Sequence, residues 1–172
     1  MKKNLFFAFF SLLTCQVFSQ SNTVSIIPEP VSVKLSNGVF TLPKNVIIEA
    51  GSQPQLQQTI AFLRQRLSAA TGSTITVTNP ATSPTVSLIL NRTTDAAIGE
   101  EGYRLSVTPK KITISANEPA GIFYGVQSLI QLFPPAIESS TPVANTKWEA
   151  PTVEIMDYPR FGWRGFAVSM LR

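Results

Sequence analysis

Residues 101–133 read EGYRLSVTPKKITISANEPAGIFYGVQSLIQLF, and two structural patterns follow one another in this segment. Apolar and polar residues alternate along 103–107 and again along 112–114, with a Pro-Lys-Lys turn between them, which predicts a β-hairpin. After Pro119, apolar side chains recur at the spacing of one helix face, and Pro134 ends the run. The segment therefore predicts a hairpin followed by an amphipathic helix.

The start of this helix carries further signals. Asn117 is a candidate N-cap, and Pro119 falls in the first turn, where its missing N–H costs little. Gly121 and Gly125 lie four residues apart on the helix. Each costs about 1 kcal/mol of helix propensity, so we expect that they are present to let the helix backbone approach a neighbouring sheet closely.

The preceding part of the chain predicts a second helix and more strands. Leu56, Ile60, Leu63 and Leu67 share one helix face within 54–70, and Thr71-Gly72 predicts its end. Asn37-Gly38 predicts a turn. Short apolar or alternating runs predict strands at 31–35, 46–48, 75–77 and 86–90. The fold class expected is α+β: a layered sheet carrying two amphipathic helices.

The first nineteen residues predict a secretory signal peptide. Lys2 and Lys3 precede a short apolar run, and cleavage is expected near Ser19-Gln20, which implies a secreted or periplasmic protein. A membrane anchor is the alternative, although the run is short for a helix that spans a bilayer. A lipoprotein, modified at Cys15, is a second alternative.

Composition narrows the chemistry that the chain can perform. The sequence has no histidine, and Cys15 is its one cysteine, so the mature chain offers no disulfide, no Cys-His zinc site and no Ser-His triad. We expect no metal and no cofactor. Removing residues 1–19 removes two lysines and no acid from a formal net charge of +4. The remaining cations are scattered, which predicts neither a nucleic-acid partner nor, once the signal is cleaved, a membrane partner.

Several motifs together resemble the family 20 glycoside hydrolases, the β-N-acetylhexosaminidases. Ile27-Pro28-Glu29-Pro30 resembles the opening motif of the family. Residues 101–107, 112–114 and 120–129 are similar to the hallmark of its non-catalytic N-terminal domain. Residues 157–165, DYPRFGWRG, resemble the entry to its catalytic barrel. The order and spacing of these motifs extend over most of the chain.

The resemblance implies a layered N-terminal domain that packs on a (β/α)8 barrel. Family members remove terminal non-reducing GlcNAc or GalNAc from glycans by retaining, substrate-assisted catalysis, in which an Asp orients the acetamide and a Glu protonates the leaving oxygen. A barrel needs about 250 residues, and we expect only its first strand, at 161–171. The expected organisation is a signal peptide (1–19), the layered domain (20–146), with a linker at 139–146, and a junction with the first barrel strand (147–172).

On this basis we expect no catalytic residue within the chain and no activity from it alone, since the Asp-Glu pair would lie beyond Arg172. Arg172 itself aligns with a family arginine that binds hydroxyls of the terminal sugar, although Ser169 stands where an Asp is usual. Glu100-Glu101 resembles the Asp-Glu pair only superficially, and a solvated turn is expected there.

Other candidate residues lie near the expected junction. Asp157, Arg160 and Arg164 could contact sugar, but a structural arginine-aspartate network beside a core of Phe161 and Trp163 is favoured. Four aromatic residues could form a sugar-stacking platform, but they are expected to pack instead: Tyr103 and Tyr124 in the core of the layered domain, Trp163 in the core at the barrel entry, and Trp148 at the junction. The alternative to a hexosaminidase fragment is a free-standing carbohydrate-associated or regulatory module.

Overall fold

The computed structural model describes residues 24–165 and contains one seven-stranded sheet with two α-helices. The order of the strands across the sheet is β1-β7-β5-β6-β4-β2-β3. Two short 3₁₀ turns, Pro54–Leu56 and Pro135–Glu138, flank the helices. The elements are β1 (Ser32–Thr41), β2 (Asn45–Glu49), α1 (Gln57–Thr71), β3 (Thr74–Val77), β4 (Val86–Leu90), β5 (Tyr103–Val107), β6 (Ile112–Ala116), α2 (Pro119–Leu132) and β7 (Glu149–Asp157).

The sheet is mixed, and its directions follow from the connections. β5 and β6 form the predicted antiparallel hairpin, with Leu105 opposite Ile114. β4 runs parallel to β6 and to β2, and β2 runs parallel to β3 with α1 as the connection between them. The α+β prediction, a layered sheet with two helices, is confirmed.

Strand β7 was not predicted, and it changes the domain boundary. It lies between β1 and β5 and is antiparallel to both. The expected end of the layered domain at residue 146 is therefore too early, since β7 carries the sheet on to Asp157. The expected linker at 139–146 is also fixed to the fold, because the backbone N–H of Val143 donates to the carbonyl of Ala70 at 2.8 Å.

The helices cover one face of the sheet, where the apolar side chains of the strands collect. Tyr103, Leu105 and Val107 are buried, whereas Arg104 between them is exposed, as alternation along a strand requires. The face opposite the helices is largely polar. The side chains of Arg104, Ser106, Thr113, Ser115 and Glu154 lie on it.

Gly121 and Gly125 bring α2 into close contact with the hairpin, as predicted. A Cβ added to Gly125 would lie 2.5 Å from Cγ2 of Ile114, and one added to Gly121 would meet the backbone of Gly102 and, at 2.7 Å, the Cβ of Ala116. These distances are below van der Waals contact, so no side chain fits at either position without displacement of the sheet. We call this contact the seam.

Two local predictions were wrong. Asn37-Gly38 forms no hairpin turn but a bulge within β1, where the register with β7 shifts between Leu35 and Val39 and Gly38 adopts φ +128°. The hydroxyl of Thr152 holds the bulge by donating to the carbonyls of Ser36 (2.7 Å) and Gly38 (3.0 Å).

Asn117 does not cap α2, because Glu118 is the N-cap and no side chain bonds there. The Asn117 amide instead organises the loop before β5. It donates to the carbonyls of Asp95 (2.9 Å) and Gly99 (2.6 Å) and accepts from the backbone N–H of Asp95 (2.8 Å). The helix-ending role of Gly72 is confirmed, since it adopts the left-handed conformation after α1.

Three predictions extend outside the described residues. The signal peptide (1–19) and Arg172 lie wholly outside them, and the expected barrel strand at 161–171 lies inside only as far as Gly165. Between Phe161 and Gly165 the backbone has no regular secondary structure. Within 24–165, no helix is long and apolar enough to cross a membrane.

Candidate functional site

The main surface feature lies where the chain leaves β7. Residues 158–164, which we call the exit segment, pass beside α2 and the turn that precedes β5. Arg164 holds this segment. Its guanidinium donates to a carboxylate oxygen of Glu101, to the Tyr124 hydroxyl at 3.4 Å and to the carbonyl of Phe161 at 3.0 Å. We call the group Arg164, Glu101 and Tyr124 the exit clamp.

The clamp is electrostatic and in contact with solvent. The hydrogen bond with Glu101 raises the pKa of the Arg164 guanidinium above its ordinary value. The side chains of Arg164 and Glu101 are 42% and 39% exposed. Pairs this exposed are screened by water and salt and contribute little to stability.

A cavity of about 360 Å³ lies next to the clamp. We call it the exit pocket. The chain before β1 forms one wall, with Ile26, Ile27 and Pro28. α2 forms another, and the end of β7 with the exit segment closes the third side. α2 contributes Tyr124, Gln127, Ser128 and Gln131. The end of β7 and the exit segment contribute Asp157, Tyr158, Pro159 and Arg164, and Glu101 and Tyr103 complete the lining.

Two hydrogen-bonded arrangements keep the pocket in shape. The Gln131 amide holds the wall before β1, because its oxygen accepts from the backbone N–H of Ile27 at 2.9 Å and its nitrogen donates to the carbonyl of Ile27 at 3.3 Å. At the base, the hydroxyls of Tyr103 and Ser128 share a hydrogen bond of 2.5 Å. Burial raises the pKa of Tyr103 to about 12, against the Ser128 hydrogen bond and with help from the charge of Asp157.

A second feature lies on the outer side of the helices. The rings of Phe62 and Phe123 are 5.8 Å apart between centroids, and those of Phe123 and Tyr124 are 6.1 Å apart. Arg66 lies over Phe62 at 5.4 Å and pairs with Glu138 at 2.7 Å. We call Phe62, Phe123 and Tyr124 the aromatic row, and Phe123 within it keeps 39% of its surface exposed.

Comparison with known families places the chain. The model of glycosyl hydrolase family 20, domain 2, matches residues 23–158, which is most of the chain. The chain belongs to glycosyl hydrolase family 20. The match ends one residue after β7 and so includes the strand that lies beyond the boundary expected at 146.

Family 20 relatives are similar to this chain in sequence and in fold. The chain is 28% identical over 169 residues to a β-hexosaminidase of Porphyromonas gingivalis and 26% identical over 150 residues to a β-N-acetylhexosaminidase of Cellulomonas fimi. The structure superimposes on the N-acetyl-β-hexosaminidase of Streptomyces plicatus with a TM-score of 0.74 at 32% identity over 81% of this chain.

These relatives are much longer than this family 20 chain. It spans 22% of the Porphyromonas protein, 29% of the Cellulomonas protein and 27% of the Streptomyces chain, while 94%, 87% and 81% of its own length is matched. The match therefore covers a non-catalytic portion of hexosaminidases, as the resemblance implied.

The structure revises the expected network of Asp157, Arg160 and Arg164. Arg164 pairs with Glu101, not with Asp157, whose Oδ1 accepts from the backbone N–H of Val31 at 3.2 Å. Arg160 is exposed. Phe161 and Trp163, expected in a core, are 73% and 84% exposed within the described part of this family 20 chain.

Other predicted positions agree with the structure or shift. Glu100-Glu101 lies in a turn as expected, but Glu101 is half-buried and belongs to the clamp. Tyr103 is in the core, as predicted, and Tyr124 packs at its margin. Trp148 packs against the core of the sheet, and its place at a junction with the barrel stays a prediction.

Within residues 24–165, no three His, Cys, Asp or Glu side chains lie close enough to hold a metal ion. Sequence reasoning missed the exit pocket and the aromatic row. The sequence places Phe123 and Tyr124 only within the predicted helix. No pattern in it indicates that Phe123 contacts Phe62 or that Tyr124 contacts Arg164.

Proposed function

We propose that the chain is the N-terminal, non-catalytic part of a β-N-acetylhexosaminidase that removes terminal GlcNAc or GalNAc from glycans. The observation that carries the proposal is the family 20 match over residues 23–158, together with relatives three to five times longer that bear this activity in their names. Two mutants of the Streptomyces plicatus β-hexosaminidase, with the same likeness to this chain, were solved in complex with GlcNAc as the product.

In this proposal, the catalytic Asp-Glu pair follows Arg172 in the longer protein. The acetamido oxygen of the substrate attacks the anomeric carbon, the Asp orients the acetamide, and the Glu protonates the leaving oxygen. Residues 24–165 contribute none of these steps. Arg172 is proposed to bind hydroxyls of the terminal sugar, and it can do so only when the barrel is present.

The role proposed for this domain is to pack on the catalytic barrel. Its helix side offers a surface suited to that purpose, since the aromatic row leaves Phe123 39% exposed and lies between two arginines that are already paired. Aromatic and arginine side chains are enriched in protein interfaces. The polar face of the sheet has no comparable feature and suits contact with solvent.

Release of 4-nitrophenol from 4-nitrophenyl N-acetyl-β-glucosaminide tests the proposal. The purified chain is compared with a version extended by the downstream reading frame. We expect no turnover by the chain alone and turnover by the extended protein. Turnover by the chain alone would contradict the proposal, and an inactive but folded extended protein would favour the free-standing module.

Docking is tested in the extended protein with Phe123→Ala and the matched variant Ile89→Ala, which truncates an exposed apolar residue of β4. We expect only Phe123→Ala to separate the melting of the two parts in calorimetry. Equal behaviour of the two variants would contradict docking through the aromatic row.

We also propose that the protein is secreted or periplasmic after cleavage near Ser19-Gln20. The support is the charged start and short apolar run of residues 2–13. Mass spectrometry of the protein exported by a bacterial host is expected to give an N-terminus at Gln20. A lipid-modified Cys15 at the N-terminus would favour the lipoprotein alternative instead.

A further inference from the structure

The exit pocket combines apolar walls with one charge that is not neutralised. Three charged residues line it: Glu101, Arg164 and Asp157. Glu101 and Arg164 form an ion pair with each other. Asp157 therefore leaves the pocket with a net charge of one negative unit.

The Asp157 carboxylate is half-buried and only partly satisfied. Its Oδ1 accepts from the backbone N–H of Val31 at 3.2 Å, and no hydrogen bond to its second oxygen is formed within residues 24–165. Its charge acts on the Tyr103 hydroxyl at the base of the pocket and helps to raise the pKa of that group. A carboxylate partly removed from water is stabilised by a cation placed beside it.

The remaining walls suit a cation with an aliphatic stem. Ile27, which is 78% exposed, and Pro28 offer apolar surface on one side. Tyr124 and Tyr158 line the other side. Arginine and lysine bury their methylene groups against such surfaces, and their charged ends interact favourably with aromatic rings.

We propose that the exit pocket accepts one arginine or lysine side chain from the catalytic part of the longer protein, with Asp157 as its charge partner. The source of the side chain rests on the proposed function, whereas the chemistry of the pocket does not. The position of the pocket supports this source. The exit segment lines the pocket, so polypeptide that continues from it starts at the rim.

Other ligands fit these charges less well. An anion would be repelled by Asp157, and a neutral sugar would leave its charge without a partner. A cavity of about 360 Å³ is at the lower end of the range of small-molecule pockets, roughly 300–1,000 Å³. A single arginine or lysine side chain fits within that volume, and the charge of Asp157 is what favours it.

Binding of a cationic side chain by the exit pocket is tested by NMR titration of the purified chain with N-acetyl-L-arginine N-methylamide. The matched probe is the citrulline analogue, which has nearly the same shape and no charge. We expect the arginine probe to shift the amide signals of Ile27, Asp157 and Tyr158, and the citrulline probe to bind at least about five-fold more weakly. Equal binding of the two probes, or no binding of the arginine probe, would overturn the proposal.

Two variants test whether the carboxylate of Asp157 is the charge that binds the arginine probe. Asp157→Asn keeps an acceptor for the Val31 N–H, so the backbone stays in place, and arginine binding is expected to fall about five- to ten-fold. Glu154→Gln removes the same charge from the polar face of the sheet and is expected to leave binding unchanged. An equal loss in both variants would show a general charge effect and overturn the site.

The same titration on the extended protein tests whether the side chain in the pocket comes from the catalytic part. If its own side chain fills the pocket, the arginine probe no longer shifts Asp157, and Asp157→Asn reduces the coupled melting of the two parts. If the extended protein binds the probe as tightly as the chain does, the side chain comes from elsewhere and that part of the proposal is overturned. Sugar hydrolysis by the extended protein, measured separately, decides the proposed function.

Discussion

In the seam, Gly121, Gly125 and Tyr103 are buried between α2 and the β5–β6 hairpin, whereas Arg164 and Glu101 in the exit clamp are 42% and 39% exposed. The seam depends on shape, because atoms of the sheet and of the turn before β5 approach the two helix glycines too closely for any Cβ. The clamp depends on charge in contact with water. Packing of the first kind resists any change of volume, while exposed ion pairs exchange readily with solvent. The difference indicates that this domain is rigid in its centre and adaptable where the chain leaves it.

The largest effect is expected from Gly121→Ala, which would place a methyl group against the backbone of Gly102. We expect the free energy of unfolding to fall by about 1–3 kcal/mol, even though alanine favours helix. Urea denaturation measures the change. Gly162→Ala is the matched control, because nothing lies within 4 Å of its added Cβ. A stabilised Gly121→Ala variant would show that the seam can open, and the contrast with the exit would be lost.

An intermediate effect is expected from alkaline pH at the seam. The pKa of Tyr103 is raised to about 12 in the folded protein, above the value near 10 of an unfolded chain, so folding favours the neutral phenol. This stabilisation is fully present below pH 10 and is lost as the pH rises from 10 to 12.

Urea denaturation at pH 9 and pH 11.5 tests this expectation. The unfolding free energy of the unmodified chain is expected to fall by up to about 2 kcal/mol more than that of Tyr103→Phe. All other residues are the same in the two proteins, so their contributions cancel in the comparison. Parallel decreases in the two proteins would mean that Tyr103 is not protected by burial.

The smallest effect is expected from Arg164→Gln at the exit clamp. The midpoint of urea denaturation should stay unchanged within error, because the lost pair is exposed and screened. Limited proteolysis should instead become faster at Arg160, since the exit segment loses its contacts with Glu101 and Tyr124. A clear drop in global stability would show that the clamp belongs to the same cooperative unit as the seam.

The sequence predicts the seam well, because the seam forms between residues that are close together in the chain. It predicts the exit pocket and the exit clamp poorly, because their residues are far apart in the chain. The hairpin, α2 and the closely packed glycines follow from patterns within 101–133. The exit pocket brings together residues near 27, 101, 127 and 157, and no local pattern encodes such contacts. The clamp was missed because Glu101 reads as an ordinary turn residue and Arg164 as the partner of a nearby aspartate.

Strand β7 was missed for a different reason. Pro151 interrupts its pattern, and proline lacks the N–H that a central strand needs. The structure resolves this conflict because β5 pairs only with residues 153–157 of β7, so Pro151 lies beyond the end of β5 and has only β1 beside it. The barrel-entry motif at 157–165 follows directly, so the expected junction with the barrel (147–172) took in the residues of β7 as well.

The position of β7 has a consequence for synthesis. Strand β1 is at the edge of the sheet and has β7 as its single neighbour, and the Thr152 hydroxyl that holds its bulge is 116 residues from Ser36. At about 5–20 residues per second, the ribosome needs several seconds to supply that partner. During this time Val33, Leu35 and Val39 have no strand to pair with, so this apolar edge is open to association with other chains.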